Sequence, residues 1–350
     1  MTTRKIIERV SARVFCHLEQ GGNPVTIFSS SDVLSPKTRE KLAKDCAWES
    51  VMVATHDNDN NTNTTNTDHN NENKLPLLSF YMPSGEQVSF CAHAAMGAAL
   101  ELCLQDDDET RDEVSVQIAD LMHASEVSSA SNETRPSKEV YQTIIYDADI
   151  VALNMTVPYK ETEISQTPLL YRMLRDYLLV EPADLATIAG TQTPQNICNA
   201  SIARPKTLVP LASIDSLQNK TIAPKPSSSK GFELSCNALD QSTGIYLYAK
   251  SETEDGAWEC RQFPRSLGYP EDPATGIAAA ALACHLYHRE DIDLPAYKMY
   301  QGTAMGKPSL IVVDELTVRK FDHDMMQASF RLLGRVEIDE RESIEIIEDA

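Results

Sequence analysis

The sequence predicts an α+β fold in which sheet strands surround a central buried helix, an arrangement made twice along one chain. Two observations carry this. Residues 91–104 ("CAHAAMGAALELCL") and 275–288 ("TGIAAAALACHLYH") are helix-like segments apolar on nearly every side, one in each half. A helix without a polar face has to be enclosed by other structure. The segments around both are short strand-like runs, so sheets are what enclose them.

Taken in order, the N-terminal "MTTRKIIERVSARVFCHLEQ" reads as a strand, with Val14 and Cys16 alternating against Arg13 and His17. Its interleaved charges leave no apolar core for a secretory signal, so a cytoplasmic location is expected. Residues 36–47 predict a helix that opens on proline and ends before Trp48. The strand-like "ESVMVA" and "LPLLSFYMP" flank an Asn/Thr-rich tract, 56–74, which reads as an expanded hairpin loop with solvated histidines. A second polar stretch, 122–138, separates the strand-like "EVSVQIA" and "VYQTIIYDADIVALNMTVP". Further on come an amphipathic helix over 168–180 and a loop near 223–231. The buried helix at 275–288 follows, then the strand-like "PSLIVVDE" and "ASFRLLGRVEI".

Composition narrows the function. The 350 residues suffice for two domains, expected as 1–160, with 335–350 crossing back to it, and 161–334. Eight cysteines lie far apart with no C-x-x-C pair, which suits neither a disulfide framework nor a zinc site, and no metal is expected. The formal charge of −21 is concentrated at "DDDETRDE" and in the C-terminal "EIDERESIEIIEDA". Without a basic stripe the chain is not expected to bind nucleic acid, and its longest apolar run is too short for a membrane span.

Polar groups gather where each buried helix begins. Glu86, Cys91 and His93 precede or open the first, and Glu271, Asp272 and Thr275 precede the second. A helix N-terminus holds anions through its unpaired N–H groups, so two such mouths suit a small carboxylic acid. Each residue also has a plainer reading: Asp272 as a helix cap, His93 as a structural histidine, Cys91 as core.

"EDPATG" before an alanine-rich helix, together with "FCAHAAMGAAL", resembles the PhzF-like proteins of phenazine biosynthesis, which have a diaminopimelate epimerase-like fold. "GGNPVTIF", "DCAWESVMV" and "YQGTAMGKPSLI" continue the resemblance in the family's order. It implies two pseudo-symmetric domains, each a curved, mostly antiparallel sheet around a central helix, with the active site between them and no metal or organic cofactor. Family members are often dimers, which makes a homodimer an expectation.

The resemblance assigns roles residue by residue. Glu49 matches the glutamate that shuttles a proton between substrate carbons, and its setting beside Trp48 suits a partly desolvated carboxylate with a raised pKa. Asp272 matches the second acidic group, and His93 the histidine that orients substrate or joins the relay. Gly276 matches a glycine whose backbone holds the substrate carboxylate. Two departures bear on substrate binding: Ala92 stands where the family has glycine, and Ile277 where it has serine. They favour a smaller or more apolar acid than the phenazine precursor. The expected activity is that of a cofactor-independent isomerase or epimerase. The alternatives are an epimerase or racemase depending on Cys91, and a ligand-binding or interaction protein that has lost turnover.

Overall fold

The computed structural model describes residues 2–55, 75–105, 113–118, 140–146, 149–188, 190–266, 268–322 and 325–349. The readings made for the tract 56–74 and the stretch 122–138 lie outside these residues. The chain divides into two compact units. One comprises 1–13, 24–151 and 338–350, the other 14–23 and 152–337.

The first unit contains the start of β1 (Thr2–Cys16), most of β2 (Asn23–Ser30), α1 (Pro36–Lys44), β3 (Ser50–Ala54), β4 (Leu77–Tyr81), β5 (Gln87–Val88), α2 (Ala92–Gln105), β6 (Glu113–Ile118) and β7 (Val140–Tyr146). Strands β2 and β3 pair in parallel, as do β4 and β6; β3–β4, β4–β5 and β6–β7 are antiparallel. Helix α1 opens on Ser35, whose hydroxyl accepts from Thr38 N at 3.3 Å, with proline in its first turn. Its buried Leu42 and Ala43 join Ile7, Phe28, Met52 and Tyr81 in a core. Helix α2 lies against β3, β6 and β7, and every residue from Ala92 to Glu101 is buried.

The second unit contains the remaining strands and helices: β8 (Ile150–Glu163), α3 (Pro168–Leu178), β9 (Cys198–Ser201), β10 (Lys206–Pro210), α4 (Ser229–Ala238), β11 (Gly244–Lys250), β12 (Ala257–Pro264), α5 (Gly276–Arg289), β13 (Ala296–Gln301), β14 (Ser309–Asp322) and β15 (Met325–Asp349). The ends of β8 and β15 belong to the first unit. Antiparallel pairs predominate, with β10–β11 and β12–β13 parallel. Leu174 and Leu178 of α3 and Phe232 and Cys236 of α4 pack with Val209, Ile245, Leu247 and Phe263, which share one face of the sheet. Helix α5 contacts β9, β10 and β14 and is buried from Gly276 to Leu286. No described helix is long and apolar enough to cross a membrane.

Three details differ from the sequence reading. The expected loop 223–231 ends in helix: α4 starts at Ser229, because Phe232 and Cys236 have a core to enter. In β1 the alternation fails at Phe15, whose φ of 68° turns its ring inward, leaving Val14, Phe15 and Cys16 all buried. The acidic C-terminus is strand, not tail. Its Asp339, Glu342 and Glu345 pair with Arg13, Arg9 and Arg4 of β1, and Glu348 holds Lys5 at 2.7 Å.

Candidate active site

At the start of α5 the "EDPATG" segment is held from three directions. Asp272 is 5% exposed; its Oδ1 accepts from Asn23 Nδ2 at 2.9 Å and its Oδ2 from Thr275 Oγ1 at 2.5 Å. The same Asn23 amide donates to Ala274 O at 2.7 Å. Gln301 Nε2 donates to Asp272 O and to Thr275 Oγ1, while Gln301 Oε1 accepts from Thr275 N and from the Tyr246 hydroxyl. Segments "GGNP", "EDPATG" and "YQGTAMGKPS" thus converge, although Asn23 and Asp272 are 249 positions apart. Gly302, at φ 79°, is part of the same junction. A Cβ there would stand 2.1 Å from Lys307 O and 2.8 Å from Pro273 O.

Thr275, not Asp272, is the N-cap residue of α5. The acidic pair therefore separates in purpose. Glu271 is a structural partner: Arg261 grips both its oxygens at 2.7–2.8 Å and donates from Nη1 to Leu217 O and Thr221 O. A fully hydrogen-bonded bidentate pair is the arrangement in which two charges can stay buried. Asp272 keeps its carboxylate at the helix mouth on neutral donors, Asn23 and Thr275. Gly276 has a packing role. An added methyl would lie 2.9 Å from both Phe15 Cζ and Leu332 Cδ2. Ile277 follows it, 6% exposed.

In the first unit, Cys91 and Ala92 stand at the mouth of α2, and Cys91 Sγ is 3.3 Å from His93 Nδ1. Cys91, Ala92 and His93 are all buried. Glu49, 5% exposed, sits just before β3, and its carbonyl accepts from Thr26 N at 3.1 Å. A glutamate that reads as a surface residue in isolation is thus enclosed. Glu86 is exposed in the turn between β4 and β5. The sequence reading found the "GGNP" and "YQG" motifs but not what Asn23 and Gln301 do, since nothing local shows that their amides reach the α5 mouth.

A second polar cluster gathers His285, near the C-terminal end of α5, with Glu161 of β8 and Cys198 of β9. Glu161, Cys198 and His285 bring a carboxylate, a thiol and an imidazole within 4.8 Å of one another, a set that could hold a metal ion. The His285 imidazole links the other two. His285 Nδ1 is 3.1 Å from Glu161 and Nε2 is 3.5 Å from Glu290. Burial lowers the His285 pKa, but hydrogen bonds to Cys198, Glu161 and Glu290 outweigh it and push it up to about 12. Burial likewise works to raise Glu161, yet His285, Tyr159 and Arg289 bring it below the ordinary carboxylate value. A positive His285 between carboxylates suits the negative end of the α5 dipole, where the cluster lies.

The family model described as Phenazine biosynthesis-like protein (PhzC-PhzF) matches residues 155–333. Among solved structures, a PhzF-family phenazine biosynthesis protein from Bacillus anthracis is similar, with a TM-score of 0.70 and 16% identity, covering 97% of this chain and 99% of that one. A predicted epimerase from Pseudomonas aeruginosa gives 0.65 and 15%, covering 97% and 99%. A hydroxyproline epimerase from Agrobacterium vitis with bound trans-4-hydroxy-L-proline gives 0.55 and 10%, covering 97% and 91%. Among curated proteins, none matches in sequence.

Proposed function

The chain belongs to the phenazine biosynthesis-like (PhzC-PhzF) family, and from that premise we propose that it is a cofactor-independent isomerase or epimerase of a small carboxylic acid. Glu49 moves the proton between substrate carbons, Asp272 is the second acidic group, and His93 orients the substrate or joins the relay. The observation that carries this reading is the treatment of Asp272. A buried carboxylate fixed by Asn23 and Thr275 at a helix N-terminus is held in one orientation by neutral donors. Ala92 and Ile277, which stand where the resemblance has glycine and serine, favour a smaller or more apolar acid than the phenazine precursor. The bound hydroxyproline of one structural neighbour supports small acids as the substrate class.

Proton transfer at carbon requires a base within reach of an activated C–H, and a carboxylate in a partly desolvated setting can serve near neutral pH. A second reading rests on a specific contact, Cys91 Sγ beside His93 Nδ1 at 3.3 Å. A thiol with an imidazole neighbour at a helix mouth can be activated as a thiolate base. The two are separated by incubating the protein in D2O with a panel of small carboxylic acids and following carbon-bound hydrogen by NMR. Glu49→Gln is expected to lower exchange by about 10²–10⁴-fold, with Cys91→Ala near wild type. The reverse pattern would transfer the role to the thiol.

A further inference from the structure

The sheet face that Asp272 adjoins carries two buried polar side chains which the α5 mouth does not use. In register, Leu208 of β10 pairs with Tyr246 of β11, and Tyr246 with Gln262 of β12. Gln262 in turn bridges Asp272, whose N–H donates to Gln262 O at 3.0 Å. Lys206, two residues before Leu208 along β10, shares the face of Leu208, Tyr246 and Gln262. This is the face opposite Val209, Ile245 and Phe263, and the Tyr246 hydroxyl on it reaches Gln301 beside Thr275. Gly244 leaves its place on that face open. The Gln262 amide lies over it, with Nε2 2.5 Å from where a Cβ would be.

Both side chains are costly where they are. Gln262 is fully buried, and among the described residues neither its Oε1 nor its Nε2 has a hydrogen-bond partner. A buried primary amide with both ends unsatisfied is unusual and destabilising. Lys206 is 5% exposed. Burial, and next the charge of Arg204, lower its pKa to about 7, with Asp272 partly opposing them. Arg265 adds to the positive side, while Asp272 already serves two donors. The neighbourhood is therefore short of negative charge and holds an unused amide. Lys206 and Asp272 each keep 5% of their surface exposed, and Thr275 keeps 9%.

We propose that Lys206 and Gln262 form an anion subsite beside Asp272 that binds a carboxylate group of the substrate. The Lys206 ammonium supplies the charge and Gln262 Nε2 a second donor, while Gln262 Oε1 remains to accept from a hydroxyl or amino hydrogen on the same molecule. The assignment rests on the isomerase reading in taking the anion to be substrate, but the binding itself needs no turnover.

The test uses acetate as probe, with acetamide as its uncharged counterpart, followed by saturation-transfer NMR on the full chain. Wild-type protein is expected to bind acetate saturably and at least about tenfold more tightly than acetamide. Lys206→Met and Gln262→Met are each expected to remove that preference. Thermal unfolding of the same variants separates binding from structure: removing a buried charge or an unsatisfied amide should leave the melting temperature unchanged or raise it. Equal binding of the two probes by wild type, or acetate preference kept in both variants, overturns the subsite. So does a large loss of stability in Lys206→Met, which would mark the lysine as structural. Loss of the isomerase reading would appear separately, as acetate binding without hydrogen exchange on any acid.

Discussion

Asp272 shows how one side chain acquires its orientation from distant residues. Asn23 donates both to its carboxylate and to Ala274 O, so Asn23→Ala leaves two buried acceptors without that donor. The expected loss is about 1–3 kcal/mol in denaturant titrations, together with reduced turnover on any acid the wild type converts. Glu271, one residue earlier, behaves differently because its partner is charged. Arg261→Met strands a buried carboxylate and two carbonyls, and should cost about 3–5 kcal/mol. Adding Glu271→Met should recover part of that loss, since a buried ion pair replaced on both sides by apolar groups is often close to neutral. A double-mutant cycle read by chemical denaturation measures both effects.

At the scale of elements, α5 was legible in the sequence because alanine admits close neighbours on every side and no polar face competes. The same holds for α2, whereas α1 was legible from its proline start. Helix α4 was hidden because "SSSKG" has loop composition, and only the core met by Phe232 and Cys236 makes it helical. The C-terminal strand was hidden by its charges, of which Asp339, Glu342 and Glu345 are matched by arginines of β1. Of the candidate site, Glu49 and Asp272 were read from motifs. The reach of Asn23, the Glu271–Arg261 pair and the Lys206–Gln262 juxtaposition depend on strand register, which local periodicity does not contain. Packing at the first residue of α5 gives a prediction of its own. Gly276→Ala pushes a methyl against Phe15 and Leu332, and should lower stability by about 1–3 kcal/mol in thermal melts. Phe15→Leu in that background should restore part of it.

For the molecule as a whole, the ion network at the end of α5 sets a pH dependence. His285 has a folded pKa raised to about 12 from 6.5, so its contribution is complete below 6.5 and is lost progressively as pH rises toward 12. Glu161 is lowered from 4.5, so its contribution is present above 4.5 and is lost as pH falls through the lower folded value. Stabilisation by the pair is therefore greatest between these two ordinary values. His285→Gln should cost about 3–5 kcal/mol near pH 6, and its melting temperature should approach that of wild type as pH is raised to 9. The proposed function is chemical: proton transfer at carbon. The most direct measurement is the NMR signal of carbon-bound hydrogens next to the carboxylate of small acids held in D2O with the wild-type protein. The account predicts loss of one such signal at a rate proportional to protein concentration. Saturable binding of these acids with every carbon-bound hydrogen retained would contradict it.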